Sequence, residues 1–186
     1  MVATQEKALL SALQDPLQRS QAFNELVQAY QRMLYQHIRR MVQDHDDTDD
    51  VLQNTFLKAW KNLDRFRGDA ALRTWLYRIA TNEALTLLNQ RKRRAYSDIE
   101  DLQDDARHSR AAGADPEGDD IQRHLQAAID TLPEKQRVVF TLRYFDEMKY
   151  EEIAAVLDTS VGGLKANYHH AVKKIEKYLS DRVNPM

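Results

Sequence analysis

The sequence predicts an all-α protein of two small helical domains, a three-helix N-terminal bundle and a four-helix C-terminal helix-turn-helix module, joined by a flexible acidic linker. Three observations carry that expectation. Only five glycines and four prolines interrupt 186 residues, and the Ala, Leu, Gln and charged residues that dominate are good helix formers. Apolar residues recur at helical spacing on both sides of one polar stretch. The net charge of −2 is unevenly spread: residues 1–94 hold 15 Lys and Arg against 11 Asp and Glu, residues 95–120 hold 2 against 9, and residues 121–186 hold 10 against 9.

In the N-terminal domain, residues 1–94, Phe23, Leu26, Val27, Tyr30, Leu34, Ile38 and Val42 mark one helix, and Val51, Leu52, Phe56, Leu57 and Trp60 a second. A third, residues 72–94, turns Leu72, Trp75, Leu76, Ile79, Ala80, Ala84, Leu87 and Leu88 inward and ends in RKRR. Three such helices can close around one core. The linker, AYSDIEDLQDDARHSRAAGADPEGDD, lacks an apolar stripe and carries Gly113, Pro116 and Gly118, so it is expected to hold little structure of its own. Beyond it, residues 121–130, a helix opening at Pro133, residues 150–157 and residues 160–179 complete the second module.

Absences narrow the function classes. Without cysteine there is no disulfide, thiolate metal site or thiol catalysis, which fits a reducing cytoplasmic setting. The first residues, MVATQEKALLSALQDP, lack the basic start and apolar run of a secretion signal, and no long apolar segment follows, so a soluble, unexported protein is expected. The carboxylates of DHDDTDDV invite a metal reading, but an EF-hand loop from Asp44 needs a glycine at Asp49 and a glutamate at Thr55; a helix start capped by Asp47 or Thr48 is the alternative. No nucleophile motif, phosphate loop or zinc-ligand set occurs, so neither catalysis nor a cofactor is expected.

Two features point to nucleic acid. YEEIAAVLDTSVGGLKANYHHAVKKI has the spacing of helix, sharp turn and second helix, with Ile153, Ala154, Leu157, Val161, Leu164 and Tyr168 as its core and Ser160 as cap. The same pattern also suits a structural helix hairpin. The run Arg91, Lys92, Arg93 and Arg94 complements a helix C-terminus and equally forms a phosphate-binding patch. Just before it, Trp75 is expected with Ile79 on the buried side, while Tyr77, Arg78 and Asn82 point elsewhere, a combination suited to unstacked single-stranded bases.

These segments, in this order and separated by an acidic linker, resemble the two conserved domains of an extracytoplasmic-function sigma factor of the sigma-70 superfamily, over residues 23–94 and 121–179. The resemblance implies a transcription initiation factor, not an enzyme, that directs core RNA polymerase to promoters. It places Asp50, Gln53, Asn54 and Leu57 on the surface for the clamp helices of the largest polymerase subunit, with Phe56 and Trp60 facing inward. Phe66, Arg67, Gly68 and Asp69 match the loop that receives a flipped base of the −10 element, Asn82 a base-facing position, and RKRR a contact to the adjoining duplex. The linker would thread toward the polymerase active centre, its carboxylates standing in for nucleic acid.

The C-terminal module would read the −35 element, through Ser160, Lys165, Asn167, Tyr168, His169, His170 and Lys173, and meet the flap of the second-largest subunit. Arginines common in the family are absent at Asn167, His170 and Val172, so this helix is weakly armed. An anti-sigma factor is a further implied partner; no membrane insertion is. The competing reading is a stand-alone helix-turn-helix regulator binding duplex DNA, although no separate dimerisation helix accompanies it.

Overall fold

In a computed structural model the described residues are 2–66, 71–101 and 120–183, and they form eight α-helices with two short irregular turns and no strand. The chain divides into two units, Met1–Asp101 and Leu102–Met186. The first contains α1 (Val2–Gln14), α2 (Arg19–Val42), α3 (His45–Asn62), a 3-10 turn (Leu63–Arg65) and α4 (Leu72–Asp101).

Helix α2 ends where Gln43 adopts a left-handed conformation (φ 65°) and returns its N–H to the Arg39 carbonyl. Helix α3 starts two residues later, at His45. Its cap is Asp44, whose carboxylate accepts the Asp47 N–H at 3.0 Å, and not Asp47 or Thr48 as the sequence indicated. Thr48 instead sits buried and spends its hydroxyl on the Asp44 carbonyl.

The buried line of α3 is small: Thr48, Val51, Thr55 and Ala59. Such residues let α3 lie close to α2 and α4, both of which it packs against. The bulky aromatics are displaced to the edge. Phe56 is half-buried and Trp60 is 40% exposed, both set edge-on to Phe23 of α2, so Trp60 does not face inward as expected.

The α2–α4 contact holds the one buried histidine of the described residues. His37 lies within 2.9 Å of the Thr81 hydroxyl through Nε2, and its ring meets the edge of Tyr77 at 4.9 Å. Helix α4 buries Leu72, Leu76, Tyr77, Ala80, Thr81 and Ala84. Residues 95–101, expected in the linker, continue this helix, since extending an existing helix avoids the cost of a new nucleus. Helix α1, for which the sequence reading had no element, packs against α2.

The second unit contains α5 (Asp120–Asp130), α6 (Glu134–Phe140) continuing into a π-turn (Thr141–Phe145), α7 (Tyr150–Leu157) and α8 (Val161–Val183). Pro133 precedes α6 and leaves its own carbonyl to accept the Arg137 N–H. Helix α8 packs on α5, α6 and α7, around a core of Ala128, Ile129, Leu132, Phe140, Ala171 and Ile175.

Candidate nucleic-acid interface

Opposite the buried line of α3 runs an exposed one. Asp50, Gln53, Asn54 and Leu57 recur at positions three and four apart, all exposed, and Leu57 is 51% accessible despite being apolar. A polar stripe with one leucine in it can dock against a partner through hydrogen bonds and still bury apolar area.

Helix α4 presents a second line. Trp75, Arg78, Asn82 and Thr86 share one side of the helix by their spacing, with Arg78, Asn82 and Thr86 exposed. Phe66 packs on Trp75 in a tilted ring contact with centroids 4.7 Å apart, so an aromatic pair closes one end of the line. Thr86 donates its hydroxyl to the Asn82 carbonyl, and Glu83 beside it holds Lys58 of α3 in an ion pair at 2.5 Å. Arg78, about one turn before Asn82, adds a guanidinium to the same exposed line. Arg67, Gly68 and Asp69 lie outside the described residues.

Two expected contacts are corrected here. Tyr77 is fully buried against His37, with the Arg73 guanidinium 5.3 Å from its ring centre, so it belongs to the core and cannot meet a base. Arg91 pairs with Asp47 at the start of α3 and donates to the Val42 carbonyl at the end of α2, at 3.3 Å. It ties three helices together and is poorly placed to hold phosphate, whereas Lys92, Arg93 and Arg94 are exposed.

In the second unit, α7 closes where Asp158 turns left-handed (φ 50°), and the Ser160 hydroxyl caps α8 by accepting the Gly163 N–H at 3.2 Å. The three-residue turn between α7 and α8 is the helix-turn-helix anticipated from sequence. Lys165, His169, His170 and Lys173 are exposed along α8, with the two imidazoles 6.0 Å apart. Asn167 folds back, donating its amide to the Gly163 carbonyl at 2.9 Å. Tyr168 leans onto the core, stacked on Phe140 at 5.8 Å, and burial pushes its hydroxyl above the ordinary tyrosine range, with Tyr150 adding to the shift. Its ring is partly buried and also meets Tyr150 edge-on at 6.3 Å.

The Sigma-70 region 2 family profile matches residues 26–94, and the Sigma-70 region 4 profile matches residues 122–175. An ECF RNA polymerase sigma-E factor of Escherichia coli is 37% identical over 175 residues, covering 89% of this chain and 88% of its own. The chain belongs to the ECF sigma factors. An RNA polymerase sigma-H factor of Pseudomonas aeruginosa is 38% identical over 168 residues, covering 85% of this sigma factor and 86% of its own chain. Among solved structures, CnrH bound to the cytosolic domain of CnrY superposes with a TM-score of 0.67 at 26% identity, over 95% of this chain and 98% of that one. The sigma factor RpoE of Bartonella quintana, in complex with the anti-sigma factor NepR, shares the fold with a TM-score of 0.69 at 24% identity, over 86% and 98%.

Sigma factors direct RNA polymerase in transcription initiation. In this one, the region 2 profile spans α3 and the polar line of α4, and the region 4 profile spans α7 and the exposed stretch of α8. Helix α1 falls outside both. No helix among the described residues is long and apolar enough to cross a membrane.

Proposed function

We propose that this sigma factor divides promoter recognition between its units: the first docks on core polymerase through Asp50, Gln53, Asn54 and Leu57 and reads and opens the −10 element through Phe66, Arg67, Gly68, Asp69, Arg78 and Asn82. The second reads the −35 element through Lys165, His169, His170 and Lys173. Lys92, Arg93 and Arg94 hold the duplex beside the opened segment. The observation that carries this reading is the pair of exposed lines in one small unit, on α3 and on α4, each chemically distinct. A docking face with an exposed leucine suits protein; an aromatic pair followed by Arg and Asn suits unstacked bases.

Base extrusion costs a few kcal/mol, and a protein recovers it by stacking and by hydrogen bonds to the exposed base edge. Phe66 over Trp75 offers the aromatic surface, and the Asn82 amide offers both a donor and an acceptor. The −35 reader is weakly armed, with two lysines and two histidines exposed and no arginine among them. Tethered to a polymerase that already holds the other unit, it gains effective concentration and needs little affinity of its own. A stand-alone regulator would leave the α3 line without a purpose.

The reading assigns no catalysis to the chain itself, a cytoplasmic site of action, and an anti-sigma factor as regulator. Asn82→Ala tests it: the variant should bind core polymerase as the wild type does and lose promoter opening. Parallel loss of both would contradict the division of labour, and so would unchanged opening.

A further inference from the structure

Helix α1 lies outside the family match, yet it reaches both supports of the −10-reading surface. Glu6 on α1 accepts the Leu72 N–H through Oε1 at 2.9 Å, across 66 residues of chain. Leu72 is the first residue of α4, so Glu6 satisfies a backbone donor that the helix itself cannot, and sets a negative charge at its positive end. Arg19, at the start of α2, donates through Nε to the Leu13 carbonyl at 3.1 Å and through Nη2 to Asp64 at 2.6 Å. Asp64 lies in the 3-10 turn whose Leu63 carbonyl accepts the Phe66 N–H.

The N-terminal corner therefore holds two separate pieces of the chain: the turn that carries Phe66, and the first turn of α4, which carries Trp75. Phe66 and Trp75 are the aromatic pair in ring contact. Tyr30 of α2 marks the same corner, because its hydroxyl is pushed up first by burial and then by Glu6, with Arg73 pulling the other way. Glu6, Tyr30 and Arg73 also line one groove between α1 and α2.

We infer that α1 is a positioning element for promoter opening, with Glu6 and Arg19 fixing the start of α4 and the Phe66 turn relative to each other. The polymerase-docking line on α3 has no contact with either residue among the bonds just described, so docking and opening separate. The inference rests on the functional reading above and adds to it a role for a segment outside the matched family region.

The test uses the full-length protein with core polymerase and a promoter carrying a fluorescent base in the −10 segment, with core-binding affinity and tryptophan-monitored melting measured alongside. Glu6→Ala should slow opening about fivefold, the effect of losing one helix cap, at saturating core polymerase. Glu6→Gln keeps the oxygen acceptor and should restore most of the rate. Arg19→Ala should slow opening independently of Glu6.

Opening at the wild-type rate in Glu6→Ala would overturn the inference. So would a Glu6→Gln variant no better than Ala, or loss of core binding in proportion to opening, which is the mark of a merely structural helix. A wild-type protein that binds core polymerase and opens no promoter would overturn the functional reading, and the inference with it.

Discussion

Replacing Tyr77 by alanine separates a core role from a base-contacting one. The residue is fully buried between α2 and α4, with its ring against His37 and the Arg73 guanidinium near its face. Truncating a buried aromatic to alanine costs about 3–5 kcal/mol, from lost burial plus the cavity left behind. Each kcal/mol shifts the melting of a domain of this size by about 4–8 °C, so the first unit should melt on the order of 15–30 °C lower. Tyr77→Phe keeps the ring and its packing, so it should lose only a small part of that stability. The chain supplies its own probe: both tryptophans, Trp60 and Trp75, lie in the first unit, so their fluorescence reports that unit alone. A solvent-facing tyrosine would change stability by no more than about 0.5 kcal/mol on truncation. Tyr77→Ala melting with the wild type, while losing promoter opening selectively, would refute the assignment of this side chain to the core.

Three further outcomes follow from the same geometry. Arg93→Ala and Arg94→Ala should each weaken promoter binding and reduce the slope of log affinity against log salt by about 0.7–0.9, whereas Arg91→Ala should leave that slope alone and lower the melting temperature of the first unit; equal slopes for all three would contradict the bonds to Asp47 and Val42. Gly162 lies in the first turn of α8, and a Cβ there would meet nothing within 4 Å, so Gly162→Ala should stabilise the second unit by about 0.5–1 kcal/mol in a circular dichroism melt while lowering −35-dependent initiation, because the added methyl obstructs close approach of a phosphate to the first N–H groups of α8. Tyr168 and Tyr30 both have hydroxyls raised above 10.0, so the neutral form is favoured by folding; that stability is present below pH 10 and is lost as pH climbs through the raised values, and Tyr168→Phe should flatten the alkaline loss in the second unit while leaving its stability at pH 7 nearly unchanged.

The helices of the second unit were legible because they are amphipathic about one face and strong local signals separate them. Pro133, the Asp158 turn and Ser160 all act where the spacing indicated. Helix α4 was harder to read. Leu72, Leu76, Ala80 and Ala84 form the middle of the apolar side, but Trp75 and Ile79 flank it on one edge and Tyr77 and Thr81 on the other, and spacing alone does not choose between the two edges. Packing against α2 chose the second, where the small Ala80, Thr81 and Ala84 admit His37 and leave room for the Tyr77 ring. On α3 the same preference for small residues at the contact moved Trp60 to the rim.

Helix α1 went unread because its packed leucines, the buried Leu13 and the half-buried Leu9 and Leu10, fall within little more than one turn and give a weak periodic signal. Its tie to α4 spans most of the unit, and no local pattern encodes a bond of that reach. The exposed lines of the interface fared better. Asp50, Gln53, Asn54 and Leu57, and Arg78 with Asn82, lie on the solvent side because the residues between them are the ones that pack.

The central claim, that two small helical units together bring polymerase to particular promoters, is tested most directly by adding the purified protein to core RNA polymerase on genomic DNA and sequencing the transcript starts. The account predicts starts clustered at a fixed distance downstream of a shared pair of sequence elements, and lost when polymerase or this protein is omitted. Starts no different from those of core polymerase alone, accompanied by tight sequence-specific duplex binding of the free protein, would contradict it and favour a stand-alone helix-turn-helix regulator.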